Sequence, residues 1–277
     1  MPNGTLPDAD PPVRPADLAG AGVWLDGHGL AGDGPTPLLA TRLAVRRRAR
    51  LASSILVAVF LCAIALVYVT DRPAVAKVEG SDAYRRWSLL VLTAMVVGLV
   101  LAQSLLDRWV RRVDQRAAAL LPRRAAHPVR LGWRTVLGVP RAALAVATFA
   151  GGMVLAVRAL TVPSPTARYA AVVLLIGLGG AAVGTVVQLR HVLTHPAVAD
   201  DEVSLTADVI MRVEDAREIA MPTMVWSLPV VSVFETGLDW WNAAWLAFIV
   251  LSVIALALVN AWTPRSGMVA RHATTAR

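Results

Sequence analysis

The sixteen residues from Ile219 to Phe234 read IAMPTMVWSLPVVSVF, and their placement decides whether the chain crosses a bilayer five times or six. As an α-helix the stretch is about 24 Å long at 1.5 Å per residue, short of a hydrocarbon core of roughly 30 Å. Pro222 and Pro229 fall inside it. Prolines are tolerated in membrane helices where neighbours satisfy the freed carbonyls. The stretch therefore reads as a short kinked span or a re-entrant segment.

Outward from it the pattern is plainer. Leu51–Thr70, Ser88–Leu106, Ala142–Val162, Tyr169–Leu189 and Asn242–Trp262 are predominantly apolar runs, each near the ~20 residues a spanning helix needs. Composition agrees: 56% of the chain is hydrophobic and 17% charged, against about 25% charged in soluble domains. The net charge of +8 comes mostly from arginines flanking the apolar runs. Lys77 is the only lysine, which reads as high-GC coding.

Those arginines set the orientation, because cytoplasmic loops carry the excess of Lys and Arg. Arg42, Arg46, Arg47, Arg48 and Arg50 precede the first run and place the N-terminal side inside. The arginines from Arg108 to Arg141 lie two crossings later, and Arg190, Arg212 and Arg217 follow the fourth run. The predicted outer loops hold Arg72, Lys77, Arg85, Arg86 and Arg168. If 219–234 crosses, the tail with Arg265, Arg271 and Arg277 is inside; if it does not, that basic tail lies outside and breaks the rule.

The expectation is an all-α integral membrane protein of six transmembrane helices in three hairpins, with both termini cytoplasmic. Its polytopic domain covers 41–262, with spans near 51–70, 88–106, 142–162, 169–189, 219–234 and 242–262. Cytoplasmic segments occupy 107–141 and 190–218, and a cytoplasmic tail covers 263–277. Tyr68, Trp87, Tyr169, Trp240 and Trp241 mark the outer boundary, and Trp109, Trp133 and Trp262 the inner one, where half-wet rings are favoured. The first long run begins near Leu51, behind any ordinary signal n-region, so no cleavable secretory signal is expected. Residues 1–40, rich in Pro, Gly, Asp and Ala without apolar period, are expected to form a disordered cytoplasmic tail.

Few residues point to chemistry. Arg158 sits inside the third run, where a charge is either functional or snorkels to the outer boundary one turn away. The five longer runs contain no Asp or Glu, which argues against an ion-coupled carrier. Gln103, Gln188 and Asn260 read as interfacial, and Thr223 and Ser227 beside the prolines as a polar lining of a broken helix. Gly180 and Gly184 form a GxxxG pair that, with Ala147 and Gly151, suits packing of the third span on the fourth. His191 and His195 have the one-turn spacing of metal ligands, but HVLTH lacks a zincin glutamate and Pro196 follows. Interfacial histidines are the expectation, with no metal or other cofactor. Cys62, the one cysteine, reads as a small buried hydrophobe.

The two cytoplasmic segments oppose each other in sign. Residues 107–140 are net +6 and residues 190–218 net −4. In the second, Val203, Ala207, Ile210, Val213 and Ala220 fall on one helical stripe, and Asp208 and Arg212 are spaced to pair. This reads as a partner-binding helix of Val203, Ala207, Asp208, Ile210, Arg212 and Val213. Its partner is the basic segment, the membrane surface or another protein. Without a nucleophile–base set or nucleotide fingerprint, an enzyme has the least support, and nucleic acid is not an expected partner. The expectation is a non-enzymatic scaffold or assembly subunit in the cytoplasmic (plasma) membrane of a bacterium. The alternative is the permease subunit of a transporter driven by a separate ATPase.

Overall fold

Inside hydrocarbon every backbone N–H and C=O must be paired within its own segment, so apolar runs of this length fold as helices. The computed structural model follows that rule. It describes residues 13–30, 34–75, 82–119, 132–163, 165–194, 202–221, 223–228, 240–263 and 266–269, and all the helices and turns among them leave no strand. The helices are α1 (Pro15–Gly27), α2 (Pro37–Val75), α3 (Asp82–Ala119), α4 (Trp133–Val136), α5 (Val139–Ala159), α6 (Pro165–Thr194), α7 (Glu202–Ile219), α8 (Thr223–Ser227) and α9 (Trp240–Trp262).

Five of them contain stretches long and apolar enough to cross a membrane: Pro37–Val67, Leu90–Arg116, Val139–Ala159, Arg168–Thr194 and Ala243–Trp262. Their outer faces expose Ile55, Val59, Leu66, Leu101, Val146, Val183 and Leu251, a belt that water would penalise and a bilayer accepts. Five such helices fit a multi-pass membrane protein. Of the short run at 219–234, Ile219 ends α7, residues 223–227 form α8, and 229–239 lie outside the described residues.

Cross-helix contacts fix the helix directions. Ser53 on α2 donates to Gln103 on α3 at 3.0 Å, and Arg46 near the start of α2 meets Asp114 near the end of α3. Thr93 and Tyr169 share a hydrogen bond of 2.9 Å at the starts of α3 and α6, while Gln188 donates to Asp107 at their ends. Arg141 at the start of α5 donates to Asn260 at the end of α9. The starts of α2 and α5 and the ends of α3, α6 and α9 thus gather at one arginine-rich end, beside α1, α4 and α7.

Two apolar cores follow. The larger joins Phe60 and Ile64, Leu92 and Val96, Ala156, Leu174 and Leu178, Val225 and Leu228, and Trp245. Helix α8 thereby packs against α2, α5 and α6. Glycines make the room: a Cβ on Gly177 would stand 2.8 Å from Val96 Cγ1 and 3.1 Å from Leu228 Cδ2, and one on Gly152 would stand 3.2 Å from Val225 Cγ1. The second core lies at the arginine-rich end, where Val136, Leu137, Val209, Ile210, Val213 and Ala216 are packed by Trp24, Ala142, Leu189 and Val269.

The expectation of a disordered tail over 1–40 does not hold for its described part. Residues 15–27 form α1, which packs on α2 with Ala21 and Leu25 buried. A 13-residue helix carrying Gly20 and Gly22 is too short and too glycine-rich to hold by itself. It is held by the second core through Trp24 and Leu30, and by Asp17, which accepts from Arg48 at 3.0 Å. Local composition was overridden by tertiary docking.

Candidate functional site: an ion-pair ladder at the arginine-rich end

Residues four apart on a helix lie nearly one above the other, so Arg42, Arg46 and Arg50 form a stripe on the polar first third of α2. Two elements meet that stripe. From α3 comes Asp114, whose Oδ1 accepts from Arg42 Nε at 2.9 Å and whose Oδ2 accepts from Arg46 Nη2 at 2.7 Å. From α7 come Asp208, Asp215 and Glu218. Arg42 Nη2 lies 2.6 Å from Asp208, Arg46 Nε lies 2.8 Å from Asp215, and Arg50 pairs with Glu218 and lies 3.8 Å from Asp215. Arg212 closes the set, donating to Asp208 at 2.8 Å within α7.

Four arginines and four carboxylates therefore form one neutral network tying α2, α3 and α7. It is graded along its length. The Asp208 side chain is fully enclosed, whereas Arg50 and Glu218 are nearly half exposed. Buried charge is tolerated only when paired and hydrogen-bonded, and Asp208 satisfies both oxygens through two guanidinium groups. Loss of water pushes the carboxyls of Asp215 and Glu218 above their usual range, while Arg46 and Arg50 pull them back. On the other side of α7, Glu214 lies 3.0 Å from His28 Nε2 and within 3.5 Å of Ser266. The segment beyond α9 therefore reaches the same layer as α1.

The residues singled out in the sequence are placed as follows. Ala207, Asp208, Ile210 and Val213 are buried and Arg212 is half-buried, all within the chain; Val203 belongs to the first turn of α7. The apolar stripe of α7 is covered by α4 and the ends of α5 and α6. Arg158 is exposed in the last turn of α5. His191 lies in the last turn of α6, and His195 falls outside the described residues; no group of three metal-ligating side chains occurs among the described residues. Cys62 is exposed rather than buried.

The third span packs on the fourth, but not through the small residues singled out for it. Gly180 packs on Val100 of α3, Gly151 on Phe248 of α9, Gly184 has open space beside it, and Ala147 is exposed. Helices α5 and α6 instead meet where Gly152 faces Leu178. Sequence reasoning also passed over the arginine stripe on α2, reading it as positive-inside anchoring alone. The signal was present in the spacing of Arg42, Arg46 and Arg50 against Asp208 and Asp215, two positions seven apart that share a helix face.

Comparison with protein-family models, curated proteins and solved structures finds no match to this chain.

Proposed function

We propose that this chain is a six-crossing protein of the bacterial plasma membrane, with both termini cytoplasmic, acting as a non-enzymatic scaffold or assembly subunit. The ladder carries that reading. It spends the carboxylates of α7 on holding a preformed layer of α1, α4 and α7 against the bundle, rather than leaving them free for acid–base work. A rigid layer facing the cytoplasm suits the docking of another protein.

Six crossings are supported by direction. The chain leaves α7 at the arginine-rich end and enters α9 at the opposite end, since Gly151 meets Phe248 and Arg141 meets Asn260 in antiparallel order. The residues between 220 and 240 must cover that distance, and α8 lies along the way in the core. In a Cys62→Ser background, Thr274→Cys is expected to react with a membrane-impermeant maleimide only after the cells are opened, and Gly237→Cys in intact cells. Labelling of Thr274→Cys in intact cells would leave five crossings and overturn this topology.

A second reading, a permease subunit driven by a separate ATPase, is favoured by one observation. The short helix α8 sits between Pro222 and Pro229 in the sequence, and the indole N–H groups of Trp226 and Trp245 are buried without acceptors. Broken helices with free polar groups build transport sites in other folds. Purification in mild detergent with quantitative mass spectrometry separates the two. A stoichiometric partner without an ATP-binding domain, kept by Arg158→Gln, is the expected result. A stoichiometric ATPase replaces it with the permease reading, and no partner at all overturns both.

A further inference from the structure

Outside the ladder, Arg141 and Arg217 each bury a guanidinium Nε that has no acceptor. Arg141 is nine-tenths buried at the start of α5. Its Nη2 donates to Asn260 Oδ1 at the end of α9, and its Nε is buried with no acceptor. Arg217, on the last turn of α7, also has a buried Nε with no acceptor. Glu214, the nearest acidic neighbour on α7, is taken up by His28 and Ser266. Burial lowers the proton affinity of Arg217, the charge of Arg141 lowers it further, and Glu214 opposes them. Ala142, next to Arg141, and Ala216, next to Arg217, belong to the same apolar core, so the start of α5 and the end of α7 bring both guanidinium groups to one layer, and no ion pair reaches either among the described residues.

Two more features favour negative charge there. Helix α5 begins after Gly138 with no side chain capping its first turn, which leaves the positive end of a 21-residue helix dipole at the site. Trp133 before α5 and Trp262 at the end of α9 are exposed, as rings are at headgroup depth. Arg134 lies over the Trp133 ring at 5.3 Å.

We propose that Arg141 and Arg217, with the N-terminal end of α5, bind one phosphate group at the arginine-rich membrane boundary. Paired guanidinium donors suit a phosphate's oxygens. The phosphate is carried by an anionic phospholipid headgroup or arrives as a free cytoplasmic anion. The inference does not rest on the scaffold or permease reading.

Delipidated protein in dodecylmaltoside is the starting material. Its unfolding temperature is measured with added dioleoylphosphatidylglycerol, with dioleoylphosphatidylcholine, and with inorganic phosphate. A ligand near a hundred times its Kd is expected to raise the midpoint by roughly 5 °C. The rise should vanish in Arg217→Gln and persist in Arg158→Gln, whose arginine is at the far end. Stabilisation by phosphatidylglycerol alone identifies a lipid site, and equal stabilisation by inorganic phosphate identifies a free-anion site. No rise with either anion, or an equal rise in Arg217→Gln, overturns the proposal. Should that variant fail to fold, native mass spectrometry of the wild type decides. One phosphatidylglycerol retained per chain under activation that strips phosphatidylcholine, or one retained phosphate, supports the site, and retention of neither sinks it.

Discussion

Asp208→Ala is expected to cost about 3–5 kcal/mol of stability, enough to leave much of the purified protein unfolded or aggregated. The carboxylate is fully enclosed and accepts from Arg42 and Arg212. Its removal leaves Arg42 and Arg212 one carboxylate short in a site with little water. The penalty belongs to the unbalanced buried charge, so a triple variant Arg42→Met, Asp208→Met, Arg212→Met should recover much of the loss. Arg48→Ala is the contrast. Its pair with Asp17 is half exposed, and surface pairs of that kind contribute at most about 1 kcal/mol. Unfolding midpoints in detergent measure all three. An Asp208→Ala loss no larger than that of Arg48→Ala would remove the ladder from any structural role.

The second large effect lies in the membrane core. Gly177→Val is expected to destabilise by about 3 kcal/mol, the upper end of over-packing. Even one Cβ at this position meets Val96 Cγ1 at 2.8 Å and Leu228 Cδ2 at 3.1 Å, so the added methyls must displace α3 or expel α8. Val96→Ala in the same chain should restore part of the loss by vacating the space. Gly184→Val, seven residues along α6 with nothing within 4 Å of its Cβ, should change the midpoint little. Equal effects at positions 177 and 184 would mean that α8 does not occupy the bundle interior.

The two experiments probe features of different legibility. The five long helices were readable because a bilayer imposes a single requirement, about twenty apolar residues in a row, that composition alone reveals. The pairing of Asp208 with Arg212 was readable for a similar reason, since an i, i+4 spacing is local. The docking of α7 was not. Its acidic residues meet arginines more than 160 positions earlier in the chain, and several basic runs were equally plausible by charge. Asp114 was hidden by its neighbours: it lies in a strongly basic segment yet works with the acids of α7. The helix at Pro15–Gly27 was missed because its apolar residues keep to no one helical face, and the burial of Ala21 and Leu25 makes sense only once the surface of α2 and α7 exists to receive them. GxxxG spacing marked α6 as closely approached without saying by which helix, and Gly180 turned out to serve α3.

Helix α2 runs unbroken for 39 residues from Pro37 to Val75, about 58 Å at the ordinary rise. It carries the arginine stripe near one end and, at Phe60 and Ile64, part of the wall around α8. The two regions are therefore not separate modules joined by a hinge but stations on one lever. Tension applied to the arginine-rich layer at Arg42 reaches the bundle interior as a tilt of the same rod, with no loop between them to absorb it.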